Sequence, residues 1–193
     1  MEHVIDTNGL TKDYKRVRAL QNVDLKIPRG RIVGLLGKNG AGKSTLLKCM
    51  LDFLHYEGDI SFFGKSAKEW RHELHARVAF IPDVSGLDPR LTVQETIDYT
   101  AGMNPSWNRD KAERLFAKSE LPRNQKVKTL SKGMKTKLYL MLTLAKDVDI
   151  LLLDEPTLGL DFVFRMEFYD LLLGEFFDET KTKTLLNSSL SFN

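Results

Sequence analysis

A single cysteine in 193 residues, Cys49, excludes an internal disulfide and leaves a cysteine-based zinc site without ligands. Long apolar runs are missing as well. Stretches such as Ile150-Leu151-Leu152-Leu153 stop far short of the roughly 20 residues that cross a bilayer. The opening Met-Glu-His-Val-Ile-Asp has no basic-then-apolar leader pattern. The expectation is a chain of the reducing cytoplasm, neither secreted nor membrane-spanning. Excess charge of one sign is also lacking: 29 Lys and Arg against 26 Asp and Glu leave a net charge of +3, too little to argue for a nucleic-acid partner. The densest basic stretch, 12–18, is interrupted by Asp13, Tyr14 and Val17 and reads as a solvated turn. No period of 20–50 residues repeats and no low-complexity tract appears, which excludes solenoids and long linkers.

What is present is an ordinary folding composition, 42% hydrophobic and 28% charged, at a length that suits one domain. Short alternating or apolar runs at 23–27, 31–36, 59–63, 78–81, 149–153 and 184–186 predict strands. Helical spacing marks 43–54, 93–101, 111–119, 131–146 and 162–177. Alternation of the two predicts an α/β fold with a mostly parallel sheet. The stretch before Gly30 and the segment 58–64 are expected as antiparallel strands beside that sheet. Residues of about 84–147 are expected as a helical lobe inserted into the core of one domain spanning 1–193.

Gly37-Lys38-Asn39-Gly40-Ala41-Gly42-Lys43-Ser44 satisfies the phosphate-loop pattern, with a predicted strand before it and a predicted helix after it. A polyphosphate must be held by donors that approach closer than most side chains permit, and glycines allow that approach. Backbone N–H groups around 39–43 are expected to converge on phosphate oxygens, helped by the positive end of the following helix. Lys43 supplies a compact full charge. The Ser44 hydroxyl is expected at Mg²⁺, and that of Thr45 at the α-phosphate. The run Ile150-Leu151-Leu152-Leu153 has the pattern of a strand buried on both faces, and Asp154 and Glu155 follow at once. Ligands of open parallel sheets lie beyond the carboxyl ends of the strands. Asp154 is therefore expected in the Mg²⁺ shell and Glu155 near the γ-phosphate, where it would orient or deprotonate an attacking water.

Leu130-Ser131-Lys132-Gly133-Met134 opens a third segment, with Ser131 placed to cap the helix that follows. The phosphate loop, this segment, the strand ending in Asp154-Glu155-Pro156, and then Gly159-Leu160-Asp161, in this order, resemble the ATP-binding subunits of ABC transporters, over about residues 10–190. The resemblance implies that ATP and Mg²⁺ are bound, with the P-loop NTPase core flanked by an antiparallel β subdomain on its N-terminal side. It also implies that the helical subdomain carries the signature motif. Ser131 and Gly133 would then face ATP held by a second ATP-binding subunit, with Asp161 communicating across the same dimer. Tyr14 corresponds to the aromatic residue that stacks on adenine, with Ala19 nearby. Asp83 stands where most members carry a glutamine that touches Mg²⁺ and senses a membrane-spanning permease.

The sequence departs from the family at Lys132 and Met134 within the signature, at Asp83, and at Leu190, where a histidine is usual. None of His3, His55, His72 and His75 can take that place by chain order, and 190–193 read as a shortened or altered end. The expectation is an ATPase, peripheral on the inner face of the membrane, that energises transport through a separate permease. The segment 103–107, around Trp107, and the Asp83 variant resemble a bacterial, exporter-like group. Binding of ATP with little or no turnover remains the alternative. A soluble ATPase acting on DNA or ribosomes is disfavoured, because such chains add a coiled coil or a second domain.

Overall fold

The computed structural model describes residues 2–83, 86–177 and 182–188. In chain order the strands are β1 (His3–Tyr14), β2 (Val17–Pro28), β3 (Ile32–Gly34), β4 (Glu57–Phe62), β5 (Lys65–Ser66), β6 (Val78–Ile81), β7 (Ile150–Leu153) and β8 (Thr184–Asn187). The helices are α1 (Lys43–Met50), α2 (Arg71–Arg77), α3 (Val93–Met103), α4 (Arg109–Ala117), α5 (Lys132–Leu144) and α6 (Phe162–Phe176).

Two sheets result. One is antiparallel, in the order β2-β1-β4-β5, and the other is parallel, in the order β3-β8-β7-β6. All four residues of β7 and all four of β8 are buried, as expected of strands covered on both faces. Alternation along β7 divides the interior. Ile150 and Leu152 pack with Leu47, Met50 and Phe62 beneath the antiparallel sheet, while Leu151 and Leu153 pack with Leu138, Met141 and Phe168 of the helical side. The chain leaves the parallel sheet after β6, runs through α3, α4 and α5, and returns as β7 beside β6. The described part of the expected helical lobe is this excursion.

The helix starts follow from side-chain chemistry. Thr92 and Glu95 form a reciprocal capping box at α3. Asn108, Ser131 and Asp161 each accept a backbone N–H at the starts of α4, α5 and α6. Several predicted bounds shift. β1 lies in the stretch before Gly30 that was expected as antiparallel strand but given no bounds, and β2 extends well beyond 23–27. The strand expected at 31–36 pairs only over three residues, although the Leu35 amide still donates to the Asn187 carbonyl. Helix α1 ends at Met50 rather than 54, because Asp52 takes a left-handed φ of 58°. Helix α2 was not expected. The anticipated ending at 190–193 lies outside the described residues.

Candidate functional site

The phosphate loop links β3 to α1, and Gly42 is the residue that lets it fit. Its φ is 92°, and a Cβ there would stand 2.5 Å from the carbonyl oxygen of Ala19 on β2. Only glycine meets both demands. Gly40 has φ 83° with open space around it. Lys43 turns back over its own loop: its Nζ donates to the carbonyls of Gly37 at 2.8 Å and Lys38 at 3.3 Å. The same ammonium lies 3.6 Å from Glu155 Oε1.

The acids arrive from the end of β7. Asp154, buried to 3% exposure, accepts two hydroxyl hydrogen bonds on its Oδ1, from Ser44 at 2.7 Å and from Ser188 at 3.0 Å. Glu155 takes a left-handed φ of 46°, which a non-glycine residue holds only where its surroundings enforce it. Its amide donates to Ser188 Oγ at 3.2 Å. The loop and the acids close a cleft of about 330 Å³ that is lined in addition by Val17, Arg18, Ala19 and Asp83. Arg18 is held there by two hydrogen bonds to Asp13, at 2.9 and 3.1 Å. The guanidinium in turn holds the Asp13 carboxyl below its ordinary value.

Of the residues singled out by sequence, Ala19, Asn39, Gly40, Ala41, Gly42, Lys43, Ser44, Thr45, Asp83, Asp154 and Glu155 share this cleft. Gly37 and Lys38 contribute the carbonyls behind Lys43. Tyr14 lies outside the cleft wall, at the tip of the β1–β2 hairpin, with Lys12 Nζ 5.1 Å from its ring centroid. Ser131, Gly133 and Asp161 form a separate group. Ser131 caps α5 by accepting the Met134 amide at 3.1 Å. A Cβ on Gly133 would come within 2.7 Å of the Phe164 ring on α6. The Asp161 carboxylate accepts the Phe164 amide at 2.9 Å. Lys132 reaches across from α5 and donates to the Leu158 carbonyl at 2.5 Å. Trp107 is half-buried against the helical core, and its backbone forms a bridge with Lys146.

Sequence reasoning passed over Val17, Arg18 and Ser188. Ser188 could have been found by counting: it follows an apolar strand run, as Asp154 follows another, and parallel neighbours end on the same side.

Among the described residues, no group of three or more His, Cys, Asp or Glu side chains forms a metal cage. Mg²⁺ requires none, since it binds one or two carboxylates together with phosphates and water. The hydroxyl–carboxylate contact of Ser44 with Asp154, with Asp83 in the same wall, suits such an ion.

This arrangement of loop, strand-end acids and capped helix is that of a P-loop nucleotide-binding fold, and residues 20–158 match the ABC transporter family. The chain belongs to that family. It is 34% identical over 164 residues to the bacitracin transport ATP-binding protein BcrA of Enterococcus faecalis, covering 83% of this chain and 53% of the relative. It is 37% identical over 163 residues to the Nod factor export ATP-binding protein I of Burkholderia orbicola, covering 81% of this chain and 54% of the relative. The chain thus spans about half the length of these curated relatives. Among solved structures, an ATP binding subunit of an ABC transporter superposes with a TM-score of 0.81 at 25% identity, covering 97% of this chain and 80% of that one.

Proposed function

We propose that this chain binds ATP with Mg²⁺ in the cleft and hydrolyses it, energising transport through a separate membrane permease. The observation that carries the reading is the direct contact of Ser44 with Asp154 at 2.7 Å, with Lys43 beside Glu155 in the same cleft. The chemistry needs one cation on the phosphates, one metal-binding carboxylate and one general base, and Lys43, Asp154 and Glu155 bring those three groups to one cleft. Lys43 exchanges the Gly37 and Lys38 carbonyls for β- and γ-phosphate oxygens, and backbone amides of 39–43 take the remainder. Ser44 and Asp154, with Asp83, would hold Mg²⁺, which would neutralise phosphate charge. Glu155 accepts a proton from the water whose oxygen attacks the γ-phosphorus as the bond to the bridging oxygen breaks. Thr45 faces the α-phosphate, and Tyr14 stacks on adenine beside Ala19.

Ser131, Gly133 and Asp161 serve the nucleotide of a second ATP-binding subunit, since a capped helix start completes a phosphate cage only when the phosphate is present. The name of the Nod factor export relative favours the export side of the family. Among the described residues no helix is long and apolar enough to cross a membrane. The place that transport through a separate permease requires is peripheral, on the cytoplasmic side where ATP is supplied.

Titration with a fluorescent ATP analogue, with and without Mg²⁺, tests the binding step. Single-turnover phosphate release by wild type and Glu155→Gln tests hydrolysis. The expected result is Mg²⁺-dependent affinity in both proteins and phosphate release in wild type alone. Absence of that affinity in folded wild type refutes the reading, and equal slow release by both proteins removes hydrolysis from it.

A further inference from the structure

We infer that Ser188 is a positioning residue for this site, holding the Asp154 carboxylate and the Glu155 main chain in fixed relation through a single oxygen. The inference rests on reading the cleft as an ATP and Mg²⁺ site. Strand β8 pairs with β7 in register, Asn187 opposite Leu153, and the ladder continues one step further, since the Ser188 amide donates to the Leu153 carbonyl at 2.9 Å. That extra step sets the Ser188 side chain at the end of the sheet where the acids emerge. Its Oγ donates to Asp154 Oδ1 at 3.0 Å and accepts from the Glu155 amide at 3.2 Å. A hydroxyl performs both tasks because it is donor and acceptor at once. Alanine performs neither.

The site needs such a tie. Asp154 and Glu155 are adjacent in sequence but have different work, and the left-handed φ of 46° at Glu155 takes the chain beyond its amide away from the line of β7. A part-buried amide at the end of a strand needs an acceptor, and the hydroxyl of Ser188, at 1% exposure, supplies it. With Ser44 on the same Asp154 oxygen, the hydrogen bonds run unbroken from the phosphate loop through Asp154 and Ser188 to the Glu155 backbone. Partners of this kind orient metal ligands, and their loss typically weakens metal affinity or activity by about 10- to 100-fold.

The test uses the purified chain and Ser188→Ala. Four quantities are read: nucleotide affinity in EDTA, the Mg²⁺ concentration giving half-maximal nucleotide binding, the single-turnover rate, and hydrogen exchange at the Glu155 amide. Affinity in EDTA is expected to stay within about twofold, while the Mg²⁺ midpoint rises and the rate falls, each by about 10- to 100-fold. The Glu155 amide, slow to exchange in wild type, is expected to exchange faster in the variant. An unchanged Mg²⁺ midpoint overturns the inference. So does an equal loss of affinity with and without Mg²⁺, which is what a purely structural role would give, and so does rapid exchange at Glu155 in wild type. Ser188→Cys, close in size but a weak donor, is expected to match the alanine variant and is read in its place if alanine prevents folding. Failure of wild type to bind nucleotide with Mg²⁺ refutes the functional reading instead, and the exchange comparison still reports on the tie itself.

Discussion

Replacing Gly42 and Gly40 by alanine, one at a time, separates backbone strain from steric contact at the phosphate loop. Both glycines have φ in the left-handed region, 92° and 83°, so each alanine carries a strain of about 1–2 kcal/mol. Each also gains roughly 0.4–1 kcal/mol by restricting the unfolded chain. These contributions nearly cancel between the two variants. What differs is space. An added Cβ at Gly40 meets nothing within 4 Å, whereas at Gly42 it lies 2.5 Å from the Ala19 carbonyl oxygen and 3.0 Å from Leu20 Cδ2. The carbonyl belongs to strand β2 and cannot rotate aside as a side chain would, so overpacking adds about 1–3 kcal/mol. For a chain of this size each kcal/mol moves the melting temperature by roughly 2–4 °C, so Gly42→Ala is expected to melt about 2–12 °C below Gly40→Ala. Scanning calorimetry of the two variants at one pH and ionic strength measures the difference. Melting temperatures within about a degree of each other would refute the close approach of the loop to β2.

Lys43→Ala removes the only ammonium in the cleft wall among the described residues and is expected to weaken ATP binding by about 10- to 150-fold, the value of a charge-assisted contact; equilibrium titration checks this, and unaltered affinity contradicts the role. Ser131→Ala loses the cap on α5 and is expected to impair ATP-dependent dimer formation more than binding to the monomer, as read by sizing chromatography beside calorimetric titration; equal losses count against it. Burial holds the Lys111 ammonium below its ordinary 10.5, with Lys183 adding to the effect and Asp147 and Glu175 opposing it. Between the lowered value and 10.5 the unfolded chain binds more protons than the folded one, so the folded state gains as pH rises through that window. Lys111→Met is accordingly expected to melt above wild type near pH 7, with the gap closing as pH approaches 10.5. A gap independent of pH excludes the ammonium as its cause.

The parts of the site that follow from chain order were legible in sequence because each is a local pattern with one chemical use: glycines before Lys43, acids after an apolar strand. The bounds of strand β1 were not, since its pairing with β2 shifts register repeatedly, between Thr7 and Leu10 and again between Lys12 and Asp13, and bulges of that kind erase the two-residue period on which strand reading depends. Helix α2 escaped because it is only seven residues long and Leu74 is its one large aliphatic side chain. Arg18 lines the cleft because β2 passes beside the phosphate loop, a proximity no local pattern reports, and Ser188 meets Asp154, 34 residues away, through the pairing of β8 with β7.

The contacts of Gly133 with Phe164 and of Lys132 with the Leu158 carbonyl leave α5 little freedom of its own. A side chain larger than hydrogen at position 133 would push the two helices apart, and the lysine strap spans the gap beside it. The start of α5 is thereby moored at two places, to α6 through Phe164 and to the turn after β7 through Leu158.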